Sequence, residues 1–302
     1  MFTIKKENSK VLKGIVEALG AIIDETEFKI TPSELVALAM DPSRICLLQL
    51  NVKKEHFDEY KCDKETKICV NLEDLDKILK RSSTNDSIEL SLQDKEQKMK
   101  ISMKRNVSSR KRTFSLALLD SNIEEIPMDK LLKIEYPSRW VIDPDLIIEA
   151  IKDAEIYSEI LNVKVEETKG LSLQSSGQIG EMNYELELSE LIETSITGVN
   201  TGAYSLNFLK SIMKLAPITE KLEVSLKTDH PLKLKFDLLE GGELYYFLAP
   251  RVPEEEFNSD EDDILVSEKI ASKIEEEAET EPEKPEEEKT VEPEIEAEEG
   301  EE

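Results

Sequence analysis

The 302-residue chain carries two histidines and three cysteines, and both shortages exclude chemistry. Cys46, Cys62 and Cys69 form no CxxC pair, and their odd number argues against a disulfide framework, so they read as free thiols of a reducing compartment rather than metal ligands. His56 and His230 lie far apart with no ligand-like spacing and read as surface or loop residues. There is no GxSxG, no GxxxxGK[ST] phosphate loop, no HExxH and no carboxylate pair with a definable pocket. A hydrolase or transferase is therefore disfavoured, and neither a metal nor a cofactor is expected. No apolar run reaches transmembrane length, and "MFTIKKENSK" does not read as a signal peptide, so no membrane partner is expected.

Acid is what the chain has in excess, with 67 Asp and Glu against 39 Lys and Arg for a net charge of -28. Residues 252–302 hold 24 acidic and 4 basic residues, so -20 of that charge is terminal and the body is only mildly acidic at -8. The segment "EEEAETEPEKPEEEKTVEPEIEAEEGEE" has too little apolar area to offset the entropy of ordering and reads as disordered. A short amphipathic turn around Ile264, Leu265, Ile270 and Ile274 is the one exception expected there. Two uses fit such a tail, a decoy for basic proteins or a solubilising extension.

The body contains an internal repeat. "NLEDLDKILKRSSTNDSIELSL" (71–92) aligns without gaps on "SLNFLKSIMKLAPITEKLEVSL" (205–226), matching Leu72 with Leu206, Leu75 with Leu209, Ile78 with Ile212, Lys80 with Lys214 and Glu89 with Glu223. One position further on in offset, the predicted helix "VLKGIVEALGAII" (11–23) matches "LIIEAIKDAEIYS" (146–158), and the strand 28–30 matches 163–165. Period-two runs at 45–50, 87–93, 184–189 and 232–239 predict strands. Few helices and many strands, in the same order twice, predict an α+β chain of two similar domains with antiparallel sheets.

The helices' polar faces repeat as well. Lys10 and Lys13 lie opposite the first apolar stripe, Lys77, Lys80 and Arg81 opposite the second, and Lys210 and Lys214 opposite the fourth. Lys152, flanked by Glu149 and Asp153, is the weaker contribution of the third. Clustered cations steer and hold phosphate, although lysine on a solvated helix face is ordinary and Glu17, Asp74 and Asp76 dilute the pattern. The bridge 116–140 carries Ile123, Ile126 and Met128 around Pro127. That segment is either a docking edge or a linker packed on its own domain. The last strand, "GGELYYFLAPRV" (241–252), stops at Leu-Ala-Pro with apolar side chains unexplained by the strand alone.

Four stretches resemble the proliferating cell nuclear antigen family of DNA sliding clamps in its archaeal and eukaryotic form: "MDPSRICLLQL" (40–50), "FDEYKCDKETKICVNLEDLDKILK" (57–80), "LALLDSNIEEIP" (116–127) and "YYFLAPRVPEEE" (245–256). They run collinearly over about 1–255, and the acidic tail lies outside the family's usual length. The resemblance implies two domains of the DNA-clamp fold, at 1–116 and 135–252, joined by a connector at 117–134 and followed by the tail at 253–302. It implies a pseudo-sixfold ring of three subunits, self or paralogous, with helices lining the pore and sheets outside. Edge strands near Lys111–Leu118 and Ser175–Tyr184 would pair between subunits. The family's basic pore positions match Lys13, Lys77, Lys80, Lys152 and Lys214, with Arg81 and Lys210 nearby; Gly20 and Asn207 stand where other members can carry cations. Its client pocket matches Met40, Arg44, Ile45, Leu47, Ile126, Pro127, Met128, Pro231, Phe247, Ala249 and Pro250, with Phe247 where tyrosine is more frequent. The implied partners are double-stranded DNA, DNA polymerase, the clamp loader and other proteins with a PIP-box motif, at the nucleoid of an archaeal cytoplasm or in a eukaryotic nucleus. The competing reading is an acidic chaperone or adaptor working through the tail.

Overall fold

The computed structural model describes residues 1–93, 97–105, 110–120 and 128–251. Its elements make two rounds of one order. The first runs β1 (Phe2–Lys6), α1 (Lys10–Leu19), β2 (Glu25–Ile30), β3 (Glu34–Met40), β4 (Cys46–Lys53), β5 (Glu59–Cys62), β6 (Thr66–Asn71), α2 (Leu72–Leu79), β7 (Asp86–Leu92), β8 (Lys98–Arg105) and β9 (Lys111–Ala117). A short helix, α3 (Met128–Leu132), separates the rounds. The second runs β10 (Ser138–Ile142), α4 (Pro144–Ala154), β11 (Ile160–Glu166), β12 (Gly170–Gly177), β13 (Gly180–Leu186), β14 (Ile192–Ile196), β15 (Val199–Ser205), α5 (Leu206–Ile212), β16 (Thr219–Leu226), β17 (Leu232–Leu238) and β18 (Glu243–Leu248).

The helices form because their apolar residues recur at helical spacing, and α2 and α4 are also capped at their starts. Asn71 accepts a hydrogen bond from the Asp74 amide at the head of α2, and Asp143 does the same from Asp145 at the head of α4, where Pro144 fills the first position. Leu72, Leu75 and Leu79 of α2 and Leu206, Leu209 and Ile212 of α5 are buried against the sheets. Each such side chain contributes about 1.5–3 kcal/mol on leaving water. Strands alternate accordingly: Leu232, Leu234, Phe236 and Leu238 of β17 face the core, while Lys233, Lys235 and Asp237 face out.

All pairing is antiparallel, in three sheets ordered β5-β1-β7-β8-β9, β14-β10-β16-β17-β18-β4-β3-β2-β6 and β13-β12-β11-β15. Every pairing of the first round recurs in the second, and one ladder joins them, β18 of the second round on β4 of the first. On the helical side the rounds meet where α1 packs on the 3-10 segment Met213–Ile218. Gly14 permits that approach, since a Cβ there would stand 2.8 Å from Ile218 Cδ1.

Four elements differ from the sequence reading, the first being the helix expected at 146–158, which starts at Pro144 and ends at Ala154. The helix expected at 11–23 ends at Leu19, because Gly20 is a poor helix former and the chain tightens, Ala21 donating to Ala18 at 3.3 Å and Ile22 to Leu19 at 3.0 Å. The strand expected at 184–189 is the end of β13; the chain leaves the sheet at Glu187, whose side chain and that of Glu190 close a reciprocal cap over a 3-10 turn. The edge segment expected at Ser175–Tyr184 spans the turn between β12 and β13, with Gly180 at φ 141, so the true edge is β13. Ile123, Ile126, Pro127 and the turn around Ile264–Ile274 lie outside the described residues, as does the tail from 252.

Candidate nucleic-acid and docking interfaces

The helical layer carries the lysines. Lys10, Lys77, Lys80, Arg81, Lys152, Lys210 and Lys214 are exposed, and Lys13 is half-buried. Lys13 Nζ donates to the Ser82 carbonyl at 3.0 Å, tying α1 to the end of α2. Lys77 pairs with Glu73 at 2.8 Å, Lys80 with Asp76 at 2.6 Å, and Lys210 with Glu155 at 2.6 Å. Hydrogen bonds to Glu73 and to Asp76 raise the pKa of Lys77 and Lys80 respectively. Among the described residues Lys10, Lys152 and Lys214 make no ion pair. Lys80 of the first round and Lys214 of the second line one cleft with Gly20 and Asp76, so the aligned lysines meet at the junction of the rounds. Arg81 stands apart: its carbonyl accepts from Arg112 of β9 at 2.9 Å. Arg112 also holds the buried Asp86 carboxylate at 2.9 Å, a cluster with Arg105 that no periodicity announces.

The opposite face of the long sheet carries an apolar row. Register sets Met40 of β3 beside Leu47 of β4, and Leu47 beside Phe247 of β18. Met128 and Leu131 of α3 pack onto Leu47 and Phe247, with Leu38, Met40, Leu132, Ile134 and Tyr245 around them. Phe247 is 2% exposed and Leu47 6%, so α3 covers the row rather than leaving an open groove. Arg44, at φ 58, turns the chain between β3 and β4. Asp41 fixes that turn, accepting from the Ser43 amide at 3.0 Å and the Cys46 amide at 2.5 Å. Ile45 is half-buried and accepts from the Ala249 amide at 2.9 Å, which anchors Ala249 and Pro250 beside the turn. Buried Pro231 accepts from the Tyr136 hydroxyl at 2.9 Å.

Met40, Leu47, Met128 and Phe247 are thus in one cluster, while Arg44, Ile45, Pro231, Ala249 and Pro250 border it. The sequence reading missed Leu38, Leu131 and Tyr245; the alternation of β3 and β18 carried the signal for Leu38 and Tyr245, on the same faces as Met40 and Phe247. No group of three His, Cys, Asp or Glu that could hold a metal ion occurs among the described residues. No helix among them is long and apolar enough to cross a membrane.

The doubled β-sheet round, with its helices on one side and a covered apolar row on the other, defines a two-domain clamp fold. Residues 1–125 match the proliferating cell nuclear antigen N-terminal domain, and residues 147–251 match its C-terminal domain. The chain is 32% identical over 243 residues to a protein of Thermofilum pendens named DNA polymerase sliding clamp, spanning 80% of this chain and 95% of that one. It is 30% identical over 255 residues to a protein of the same name from Pyrococcus abyssi, spanning 84% and 99%. Among solved structures it is similar to PCNA from Thermococcus kodakaraensis, with a TM-score of 0.77 at 23% identity, covering 83% of this chain and 100% of that one. The chain belongs to the proliferating cell nuclear antigen family.

Proposed function

We propose that the chain is the subunit of a DNA sliding clamp, a ring that encircles duplex DNA and tethers polymerase and other DNA enzymes to it. Its two domains are 1–116 and 135–252, with 117–134 as connector and 253–302 as an added tail. One observation carries the reading: β9 and β13 are sheet edges, each open to a further ladder. Their counterparts in the other round, β18 and β4, pair with each other. Repeating that ladder between chains removes both edges and extends the two-round order head to tail. Three chains then give six rounds.

The register can be transferred. Following the ladders outward from the aligned strands equates Tyr246 with Phe114 and Leu50 with Tyr184. Glu243 opposite Asn51 becomes Lys111 opposite Glu185 of the next subunit, and Tyr246 opposite Leu48 becomes Phe114 opposite Met182. The basic end of β9 thus meets the acidic β13, which supports assembly of the chain with itself.

In that ring the helical layer faces the pore, and Lys10, Lys13, Lys77, Lys80, Arg81, Lys152, Lys210 and Lys214 supply phosphate contacts. Sliding needs backbone attraction without base readout, and flexible lysines suit it. Glu73, Asp76 and Glu155 already engage three of these lysines, so affinity for DNA without topological closure is expected to be weak. The partly exposed border of the row, from Met40, Arg44 and Ile45 to Ala249 and Pro250, is the docking site for polymerase, clamp loader and other clients carrying a PIP-box motif, with Leu47 and Phe247 reached only where a client displaces α3. The work is mechanical and breaks no bond. Loaded clamp should remain on nicked circular DNA and run off linear DNA with free ends; equal retention on both sinks the topological reading. Removing residues 257–302 should leave polymerase stimulation intact, whereas a chaperone acting through the tail would lose its activity.

A further inference from the structure

We infer that Lys233 is a carboxylate-reading subsite at the rim of the docking row, taking an Asp or Glu beside the aromatic anchors of an incoming peptide. The inference rests on the reading of that row as the client site. Lys233 stands opposite Phe247 in the β17·β18 register, so it continues the line Met40–Leu47–Phe247 across a fourth strand. Its ammonium lies 5.9 Å from the Tyr136 ring and 5.5 Å from the Tyr245 ring. Two ring faces hold a cation in place but supply no counter-ion.

The neighbouring cations are already matched. Lys235 pairs with Asp237 at 3.1 Å and Glu243 at 2.7 Å, and Arg139 with Glu223 at 3.8 Å. Lys233 has no ion pair among the described residues. Burial lowers its pKa, the more distant Glu223 offsetting only part of that, while Lys235 is raised by the carboxylates it pairs with. A half-buried ammonium gains most from a carboxylate that arrives with a ligand, because the bond is charge-assisted and partly shielded from water. Strand alternation puts Lys233 on the sheet face away from the helices, so a phosphate of encircled DNA does not reach it.

The test uses labelled ten-residue peptides with adjacent phenylalanines and one Asp or Asn placed before or after them. Binding to the full-length chain is followed by fluorescence anisotropy. Wild type should prefer one of the Asp peptides by about five- to tenfold, the size of one charged contact at a half-exposed site. Lys233→Met should abolish that preference while leaving the Asn peptide within about twofold, and Lys233→Arg should keep most of it. No preference in wild type, or a preference that survives Lys233→Met, overturns the assignment of Lys233. Phe247→Ala tests the row separately: equal binding of both peptides to wild type and Phe247→Ala removes the docking reading itself, whatever Lys233 does.

Discussion

Reversing one charge on each proposed ring edge gives the sharpest test of assembly. Lys111 and Glu185 are both exposed in the isolated chain, and the transferred register sets them directly opposite each other between subunits. Opposite charges facing across an antiparallel ladder contribute about 0.2–1 kcal/mol, and like charges cost a similar amount. Lys111→Glu exchanges attraction for repulsion, which amounts to about 0.4–2 kcal/mol per seam. A closed ring of three contains that seam three times. The loss is then about 1–6 kcal/mol, or roughly 10- to 10⁴-fold in the monomer-to-trimer constant. Sedimentation velocity at low micromolar concentration should show Lys111→Glu and Glu185→Lys each shifted toward monomer. The two together should restore the ring, since each seam regains an opposite pair. The effect should shrink in 1 M salt, where the screening length is about 3 Å. A double variant as dissociated as either single, or singles as trimeric as wild type, refutes the register.

Asn207 is exposed on α5, and Asn207→Lys should steepen the salt dependence of DNA binding, by up to about 0.9 for each phosphate engaged. An unchanged slope in anisotropy titrations between 50 and 200 mM salt would refute a pore-facing α5. Phe247→Ala should cost about 3–5 kcal/mol in urea unfolding, because the ring is buried between Leu47 and α3; a loss below 1 kcal/mol would mean that α3 is not seated on it. Glu243 has its pKa depressed chiefly by the Lys235 hydrogen bond, so its contribution is complete above the unfolded-state value near 4.5 and is lost as pH falls through the lower folded value. Glu243→Gln should therefore cost about 0.2–1 kcal/mol at neutral pH, with the gap to wild type closing on acidification below pH 4.5. A gap independent of pH would exclude the ion pair as its cause.

The repeat was legible because apolar spacing survives divergence: Leu72, Leu75 and Ile78 match Leu206, Leu209 and Ile212, and both triplets fix the same helix. The lysine faces followed from the same spacing, since position on a helix is set by separation in sequence. Pairings between distant strands were not legible. Nothing local in Phe247 specifies Leu47 as its neighbour, nor in Asp86 that Arg105 and Arg112 will converge on it. Lys233 was passed over for a related reason, because an ordinary alternating strand conceals which outward lysine lies between two tyrosines. The boundary errors at Leu19 and Leu186 arose where hydrophobic pattern continued past a point at which turn geometry ended the element.

A tandem repeat offers two equivalent seams, yet the apolar row exists at only one. The equivalence that pairs Lys111 with Glu185 also equates Met40 with Ser176, Leu47 with Glu181 and Phe247 with Ser115. Backbone pairing can therefore be the same at both seams while their outer surfaces differ in kind. The seam within the chain is apolar and carries α3; the proposed seam between chains is polar, with an exposed carboxylate where Leu47 would be. Burying Glu181 under an apolar client motif without a partner would cost more than the motif gains. The proposed pseudo-sixfold ring would thus present three of the proposed docking sites rather than six. Placing Leu at both Ser115 and Glu181 would be the minimal change expected to raise client stoichiometry above one per subunit.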